Sequence, residues 1–570
     1  MPEKIKSSDY IIQFIHDRGV RHVFELSGGM ITHLLDSMER LRTVVPVNMR
    51  HEQAAAFAAD ATGRLTGVPG VAMATSGPGA VNLLTGVGSC YFDSSPGVFI
   101  TGQVNRNEQK GSRPIRQLGF QETDIVSMAA PITKASIAVQ DACDLPSILD
   151  GAFDLAVAGR PGPVLLDVPM DVQRTEIDPP RGGRAFGERD GATEIDADAL
   201  AAALRKSERP LILAGAGIWA GRAAGAFREF TGNSGLPVVY SLMGVDALPY
   251  GHPNRVGMIG TYGNRWANLA LTQSDFLLVL GSRLDVRQTG SDTNRFRGEK
   301  TIFHVDCEPG EINNRVAGCV GIECDIGQFL RAVLPGAAQI GADGKTRWDG
   351  WRRAIEQLRQ LNPDSDELSA HVSGINPNVL MQQLSLVSAC AGAYVVDVGQ
   401  HQMWAAQSIR VGEEQRFLTS GGMGSMGFAL PAGIGASFAL SGRPIVVIAG
   451  DGGFQCNIQE LQTLAHYGLP LKIVVLNNHC HGMVRQFQES YFEGRYPSTL
   501  WGYSAPDFAG VGRSYGISSR SIAREDEISS AFEWLWESPE KPALLEVSID
   551  TFANAYPKVK FGCGLDEMEP

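Results

Sequence analysis

The feature that most constrains the fold is a repeated alternation between short apolar runs and helical stretches. Runs such as PVLLDVP, DFLLVLGS and LKIVVLNN occur along the whole chain, and Ala- and Leu-rich segments separate them. Apolar strands that are buried on both faces and joined by helices form parallel sheets. The alternation therefore predicts an α/β protein with parallel sheets.

Two stretches without this periodicity divide the 570 residues. The polar, Gly- and Arg-rich segment 178–198 predicts a linker, and periodicity falls again over 336–373, which we expect to be partly helical, through 351–361. A chain of this length usually needs more than one hydrophobic core. We therefore predict three doubly wound parallel-sheet domains, at 1–180, 190–345 and 370–570.

Charge and composition exclude several functional classes. The net charge of −13 disfavours sequence-independent binding to nucleic acid or to anionic membranes. No run approaches the roughly 18 apolar residues needed to cross a bilayer, and the first 20 residues lack the apolar segment of a signal peptide. The nine cysteines are scattered without paired metal-site spacing. We expect a cytoplasmic protein without nucleic-acid or membrane partners.

One carboxylate and one amide follow neighbouring strand-like runs near the C-terminus. Asp451 follows RPIVVIAG, and Asn478 follows LKIVVLN. Ligands of parallel sheets collect at the carboxyl ends of strands, and Mg²⁺ prefers a few protein oxygens together with phosphates. The flanking glycines would let a phosphate approach, and a helix predicted to begin near Asn457 would point its N-terminus at that anion. From these residues alone, a turn aspartate and an unrelated asparagine remain the alternative.

A second acidic candidate lies in the N-terminal segment. Glu52 follows a predicted strand and opens an Ala-rich helix in NMRHEQAAAFAADATGR. Its position alone is explained by the preference of helix N-termini for acids. The C-terminal segment bears on this choice, because there GDG is followed by 24 residues and then by NN after a strand-like run. That pattern resembles the motif that binds thiamine diphosphate. In that family a glutamate at this place is buried and hydrogen-bonds the aminopyrimidine of the cofactor.

From about residue 10 to 555 the chain resembles the catalytic subunit of acetolactate synthase. The resemblance is carried by RHEQ, TSGPGA, TGQV, FQETDIV, GSRLDVRQTG, VGQHQMWAAQ and TSGGMGSMGFALPA, in that order. It implies pyrimidine-binding, central FAD-type and diphosphate-binding domains. It also implies active sites between two chains, and hence a homodimer or homotetramer.

The resemblance assigns roles residue by residue. Glu52, Phe120 and Gln121 would face the reacting centre, and Asp451, Asn478 and the backbone carbonyl of Cys480 would bind Mg²⁺. The residues implied to surround thiamine diphosphate are Gln400, His401, Gly424, Met426, Gly452, Gly453 and Met483. Val484, Phe487 and Met170 would shape the substrate pocket.

The central segment is implied to bind FAD, held structurally rather than cycling in the reaction. The residues that match this flavin site are Gly215, Gly260, Arg283, Asp285, Arg287, Asp306 and Asp325. An empty or ADP-binding central domain is the alternative.

Departures from the family pattern fall where substrate would bind. Met170 stands in place of a lysine and Phe487 in place of a tryptophan, and the loop with Arg106, Lys110, Arg113 and Arg116 is unusually basic. A methionine cannot bind an acceptor carboxylate by charge. The loop is either a solvated surface or a site for an anionic acceptor such as a diphosphate.

The predicted function is decarboxylation of pyruvate, a 2-oxo acid, and transfer of the two-carbon unit to an acceptor carbonyl. Alternatives are the same donor with a ketone acceptor such as a nucleotide-linked keto-sugar, or a carbon–carbon hydrolase. A third alternative is a catalytically inactive homologue. The joint presence of Glu52, Asp451 and Asn478 argues against it.

Overall fold

Three six-stranded parallel sheets organise the protein, as the alternation of apolar runs predicts. The structure is a computed structural model that describes residues 4–178, 195–368 and 372–569. Most of the predicted linker 178–198 lies outside the described residues. The α/β fold class is confirmed, and the three domain boundaries stay a prediction.

The N-terminal segment forms the first sheet. Its strands are β1 (Ile5–Lys6), β2 (His22–Leu26), β3 (Val45–Asn48), β4 (Gly70–Ala74), β5 (Gly97–Gln103), β6 (Ala135–Ala138), β7 (Pro163–Pro169) and β8 (Glu176–Ile177). Its helices are α1 (Ser7–Asp17), α2 (Thr32–Leu41), α3 (Glu52–Thr66), α4 (Pro78–Asp93), α5 (Ile125–Ala129), α6 (Leu145–Val157) and α7 (Met170–Arg174). The sheet order is β3-β2-β4-β5-β7-β6, and β1 pairs with β8 separately.

The central segment forms the second sheet. Its strands are β9 (Pro210–Ala214), β10 (Val238–Tyr240), β11 (Arg255–Met258), β12 (Phe276–Leu280), β13 (Thr301–Asp306) and β14 (Val320–Glu323). Its helices are α8 (Ala197–Lys206), α9 (Gly217–Ala220), α10 (Ala224–Ser234), α11 (Arg265–Gln273), α12 (Val286–Thr289), α13 (Thr293–Arg297), α14 (Ile326–Val333), α15 (Ala337–Gly344) and α16 (Asp349–Leu361). The order β11-β10-β9-β12-β13-β14 is typical of dinucleotide-binding sheets.

The C-terminal segment forms the third sheet. Its strands are β15 (Ala393–Val396), β16 (Arg416–Thr419), β17 (Ile445–Gly450), β18 (Leu471–Asn477), β19 (Ser518–Ile522), β20 (Ala543–Ser548), β21 (Lys558–Val559) and β22 (Met568–Glu569). Its helices are α17 (Pro377–Val387), α18 (Gln400–Ser408), α19 (Ala429–Ala439), α20 (Asp451–Cys456), α21 (Leu461–Tyr467), α22 (Gly482–Tyr491), α23 (Phe508–Ser514) and α24 (Ile528–Leu535). The order β16-β15-β17-β18-β20-β19 repeats the topology of the first sheet.

The stretch 336–373 is partly helical as predicted, and it contains α15 as well as α16, because Ala337 and Ile340 bury a short apolar face. A helical segment also begins directly after Asn457, as a 3₁₀ turn over Ile458–Glu460 that continues into α21. The helix whose N-terminus lies at Asp451 is the separate α20, which the sequence did not predict. None of the described helices combines the length and the apolarity needed to cross a membrane.

A buried ion network joins the first and third sheets. Arg64 on α3 bonds both carboxylate oxygens of Asp60 and donates to Asp93 at 3.0 Å and to the Thr419 carbonyl at 2.8 Å. Asp93 in turn accepts from the Gly422 amide at 2.5 Å. Burial of these carboxylates costs free energy that only the guanidinium and amide donors offset. The network therefore fixes the loop 420–427 relative to α3 and α4.

We expect Arg64→Met to destabilise the protein by about 3–5 kcal/mol, because two carboxylates would be left buried without their cation. Thermal unfolding followed by intrinsic fluorescence measures the effect. The matched control is Arg524→Met, which breaks an exposed pair with Asp526 and should leave the unfolding temperature unchanged. Equal shifts in the two variants would contradict a stabilising role for the network.

Candidate active site

The carboxyl ends of β17 and β18 bring Asp451 and Asn478 to one edge of the third sheet. The strands are adjacent and parallel, with Gly450 opposite Leu476. Order reverses between β15 and β17 in this sheet, and ligands of open parallel sheets bind at such reversal points. Asp451 begins α20 and Asn478 follows β18, so both side chains line the same cavity.

One carboxylate oxygen of Asp451 makes no hydrogen bond of ordinary length among the described residues, although the Tyr503 hydroxyl lies near enough to lower the pKa of the carboxyl. Its Oδ1 accepts from the Gly452 amide at 3.0 Å, whereas Oδ2 is buried and makes no hydrogen bond. Burial raises the pKa of Asp451 to about 6. An orphaned carboxylate oxygen in a polar cavity is costly unless a cation satisfies it. The donor set of Asp451, the Asn478 amide and a nearby carbonyl fits Mg²⁺.

Groups of three or more His, Cys, Asp or Glu side chains that could hold a metal are absent from the described part of the chain. This agrees with a site that uses only one carboxylate. Cys480, whose backbone carbonyl is the predicted third ligand, is buried, and its amide donates to Asn478 Oδ1 at 3.3 Å.

Gln400 and His401 open α18 beside this edge. His401 packs between two glycines, and a Cβ on Gly399 or Gly450 would lie 2.6 or 2.8 Å from its Cε1 atom. Burial lowers the pKa of His401 to about 3, so the neutral ring accepts a hydrogen bond from the Gly450 amide at 3.2 Å. Gln400 accepts from the Asn478 amide at 3.3 Å. The two side chains thus hold the ends of β17 and β18 in place.

Asp397, which sequence reasoning missed, shapes the loop with the predicted Gly424 and Met426. The carboxylate accepts hydrogen bonds from the Val398, Gly427 and Ala429 amides at 2.8–2.9 Å. Burial raises its pKa to about 6. Its signal in the sequence was its place directly after the apolar run AYVV, as for Asp451.

Met426 reaches the same cavity from this loop. Its Cε atom would lie 3.3 Å from a Cβ on Gly452, and a Cβ on Gly453 would clash with the Asp397 carboxylate at 2.6 Å. Only glycine therefore allows both the amides of α20 and the Met426 side chain to approach this edge.

His481 and Tyr503 are further neighbours that sequence reasoning missed. The His481 ring lies 4.5 Å from the Tyr503 ring and packs against Gly452. The Tyr503 hydroxyl accepts from Gln455 on α20 at 3.3 Å. The histidine next to the predicted ligand Cys480 was a usable signal, whereas Tyr503 is too distant along the chain to be found by spacing.

A single cavity of about 850 Å³ extends from Asp451 to the central sheet. It reaches the point between β9 and β12 where the order of the central sheet reverses. Five predicted flavin residues line it, namely Arg283, Asp285, Arg287, Asp306 and Asp325. The cavity is also lined by residues that the sequence predicts to contact thiamine diphosphate, Mg²⁺ or substrate. They are Gln400, His401, Gly424, Met426, Gly452, Gly453, Asn478, Cys480, Met483, Val484 and Phe487.

Gly215 and Gly260 lie outside this lining and have packing roles. A Cβ on Gly215 would lie 2.2 Å from the Gly281 carbonyl oxygen, and one on Gly260 would lie 2.4 Å from that of Arg287. Both glycines therefore let loops that do line the cavity pack closely. Their predicted contact with a flavin stays a prediction.

The predicted N-terminal residues lie together but outside the cavity. Glu52 is 6% exposed, and its Oε2 accepts from Asn82 Nδ2 at 2.9 Å. Gln121 adopts a positive φ of 64° against Gly77, and the neighbouring Phe120 is 78% exposed. Among the described residues, Glu52, Phe120, Gln121 and Met170 do not line the cavity that Asp451 lines.

Phe487 and the basic loop, which depart from the family pattern, lie in different places: Phe487 lies at the cavity, and the loop is held by hydrogen bonds to acidic side chains. Phe487 is 53% exposed at the cavity, with its ring 4.8 Å from that of Tyr491. Arg106 in the basic loop is already paired, since its Nε donates to Asp171 Oδ2 at 2.7 Å. Glu122 holds the loop by accepting from the Lys110 and Leu118 amides at 2.6 and 2.7 Å.

Three family models match successive parts of the chain. The thiamine pyrophosphate enzyme N-terminal TPP binding domain matches residues 5–128, the central domain matches 197–333, and the C-terminal TPP binding domain matches 397–547. The three matches overlap the three sheets in order. They agree with a fold built from three α/β units.

Relatives that match this chain over nearly their whole length are acetolactate synthase large subunits. The acetolactate synthase isozyme 2 large subunit of Escherichia coli is 36% identical over 565 residues, which are 99% of each chain. The acetolactate synthase large subunit of Lactococcus lactis is 34% identical, over 98% of this chain and 95% of its own. That of Parasynechococcus marenigrum is 36% identical, over 98% of this chain and 90% of its own.

The matches span almost the whole chain and agree with the site at the carboxyl ends of the C-terminal strands. The protein is therefore a thiamine-diphosphate-dependent enzyme of the acetolactate synthase large-subunit family, whose usual cofactors are thiamine diphosphate, Mg²⁺ and FAD.

Proposed function

We propose that this enzyme decarboxylates pyruvate and transfers the two-carbon unit to a second pyruvate, giving acetolactate. The observation that carries the proposal is the buried, unpartnered Oδ2 of Asp451 beside Asn478, in the chain's large cavity. The names of the relatives support the substrate and the product. They do not favour a keto-sugar acceptor or a carbon–carbon hydrolase.

Residues of the third sheet would hold the cofactor. Asp451, Asn478 and the Cys480 carbonyl would bind Mg²⁺, and the amides of Gly452 and Gly453 at the start of α20 would face the diphosphate. When bound, thiamine diphosphate supplies the electron sink for loss of CO₂ and the nucleophilic two-carbon unit. Asp397 and His401 act indirectly, because they fix the loop 424–427 and the end of β17.

Glu52 would hold and move a proton at the aminopyrimidine. Its position at the start of α3 is buried, and Asn82 orients one of its carboxylate oxygens. A fixed carboxylate shielded from water keeps its hydrogen bond to a ring nitrogen in one geometry. Gln121 and Phe120 would form the polar and the apolar part of the wall at the reacting carbon.

Apolar side chains at the cavity would exclude water and select the acceptor. Met426, Met483, Val484 and Phe487 line it on the side of α22. A water-poor pocket protects a reactive carbanion equivalent from protonation. Met170 lies outside this cavity and carries no charge, so it cannot bind an acceptor carboxylate by an ion pair.

The active site would form between two chains. Glu52, Phe120 and Gln121 lie outside the cavity that contains Asp451 of the same chain. Large apolar side chains of the N-terminal segment are exposed, notably Phe120, Met128 and Phe92. Exposed apolar surface of this kind marks an interaction site. We propose a homodimer or a homotetramer, and the predicted cytoplasmic location is part of the same proposal.

With pyruvate, thiamine diphosphate and Mg²⁺, we expect acetolactate as the main product. Adding a panel of ketones should not raise the rate of CO₂ release, because the second pyruvate already serves as acceptor. Product analysis by chromatography and CO₂ release measure this. Little acetolactate together with CO₂ release that rises on adding a ketone would overturn the proposed acceptor.

Glu52→Gln and Asp451→Asn should each abolish turnover when either variant is expressed alone. When the two variants are expressed together, the mixture should regain roughly a quarter of wild-type activity. About half of the dimers would be mixed, and each would have one intact site out of two if the sites lie between chains. Glu52→Gln should still bind thiamine diphosphate. Steady-state rates of the purified mixture measure this.

The matched control mixes Asp451→Asn with Asn478→Ala, which damage the same half of the site and should not restore activity. If the first mixture also stays inactive although mixed dimers form, the site lies within one chain.

The protein purified without depletion should carry FAD, visible as a flavin absorption band that denaturation releases. Arg287→Ala should lower the flavin content, because Arg287 lines the central part of the cavity. Arg297→Ala removes an exposed arginine outside the cavity and should not. Flavin-free wild-type protein would contradict this assignment and leave the central domain empty or binding ADP.

A further inference from the structure

Three arginines surround one tyrosine at the junction between the central and C-terminal sheets. They are Arg255 on β11, Arg359 on α16 and Arg410 after α18, and we call them the arginine cluster. Their Cζ atoms lie 5.5, 5.6 and 5.1 Å from the centre of the Tyr250 ring. The Tyr250 amide donates to the Val411 carbonyl at 2.8 Å, which ties this ring to the C-terminal segment.

The guanidinium groups of the arginine cluster are largely unpaired within the described residues. Arg359 donates to the Tyr250 hydroxyl at 3.0 Å, and Arg255 makes one long contact of 3.5 Å with the Val245 carbonyl. No described carboxylate forms an ion pair with any of the three, although the protein as a whole is acidic. Each guanidinium has five N–H donors, so most of these donors lack a protein acceptor.

One acid lies near the arginine cluster without pairing with it. Asp364 is near enough for Arg359 to influence its pKa, but its carboxylate accepts hydrogen bonds from Ser408 and from Gln382, the latter at 3.0 Å. One carboxylate beside the three guanidinium groups leaves an excess of positive charge at the junction.

Buried polar atoms beside the arginine cluster also lack partners. The Nε atoms of Arg255 and Arg410 are buried without a hydrogen bond. The hydroxyl of Tyr240 is likewise buried and unpartnered, and the Arg255 Cζ atom lies 4.5 Å from the centre of its ring. Native structures rarely leave several neighbouring donors unsatisfied, and an unoccupied ligand site is one explanation of such groups.

We propose that the arginine cluster binds a phosphate group. A tetrahedral dianion offers oxygens in several directions, which suits guanidinium forks that three segments bring to one tyrosine ring, whereas a planar carboxylate is satisfied by one fork. The ligand is free phosphate or the phosphate of a nucleotide. The site is separate from the diphosphate-binding edge, since none of the three arginines lines the large cavity.

Binding would connect the central sheet to α18. Arg410 lies two residues after the end of α18, and Gln400 and His401 begin that helix at the opposite end. Arg255 and Arg359 belong to the central sheet and to the helix that follows it. A phosphate held by all three would therefore stabilise the junction between these parts, independently of the acetolactate synthase activity proposed above.

Isothermal titration of the enzyme saturated with thiamine diphosphate, Mg²⁺ and FAD tests the proposal, with orthophosphate and adenosine monophosphate as separate probes at constant ionic strength. Saturation with FAD keeps the nucleotide out of the central part of the large cavity. We expect one saturable site per chain for orthophosphate. Tighter binding of the nucleotide would identify a nucleotide phosphate as the ligand, and equal or weaker binding would identify free phosphate.

Arg359→Gln and Arg410→Gln should each weaken binding about 10-fold or more, because each removes charge-assisted hydrogen bonds. Arg353→Gln on the same helix removes an equal, exposed charge and should bind as the wild type does. Circular dichroism checks folding, and two separate arginines keep the test decisive if one variant is unstable. Absence of saturable binding by the wild type, or equal affinity in all three variants, would overturn the proposal.

Discussion

The buried Oδ2 atom of Asp451 is the feature on which the rest of the site depends. A carboxylate removed from water and left without a donor costs several kcal/mol unless a cation or hydrogen bonds compensate it. The chain compensates it only in part, since the Gly452 amide serves Oδ1 and the Tyr503 hydroxyl stabilises the carboxylate without a short hydrogen bond to Oδ2. The glycines at 450, 452 and 453, the neutral ring of His401 and the loop held by Asp397 border the same cavity. These surroundings support the proposal that a metal and an anion complete the third sheet.

The same topological rule places the two parts of the cavity. In the third sheet the strand order reverses between β15 and β17, and in the central sheet it reverses between β9 and β12. Loops diverge at each reversal and leave a crevice. Residues from both crevices line one cavity of about 850 Å³. The proposed flavin site and the proposed diphosphate site would therefore share a wall without sharing a sheet. The Arg64 network keeps the loop 420–427 in position beside them.

Much of the fold and of the candidate site could be predicted from the sequence. Apolar runs buried on both faces identify parallel strands, and the last residues of those strands identify the binding edge. Asp451 and Asn478 were predicted in that way and Gln400 from the family resemblance, and all three line the cavity. Tyr503 could not be found, since its approach to α20 depends on how a distant loop folds back. Gly215 and Gly260 have packing roles that a motif cannot distinguish from ligand contacts, so their flavin contacts stay predictions. The helix α20 was missed because the aspartate and two glycines at its start are poor helix formers on propensity alone.

The most direct test is the affinity of thiamine diphosphate for the wild type and for Asp451→Asn, measured by titration with and without Mg²⁺. The substitution keeps the shape of the side chain and removes the charge that a cation would need. We predict tight, Mg²⁺-dependent binding by the wild type, and binding by the variant that is at least about 10-fold weaker and barely depends on Mg²⁺. Equal affinity and equal Mg²⁺ dependence in the two proteins would contradict the metal site, and with it the assignment of the third sheet as the diphosphate-binding part of the enzyme.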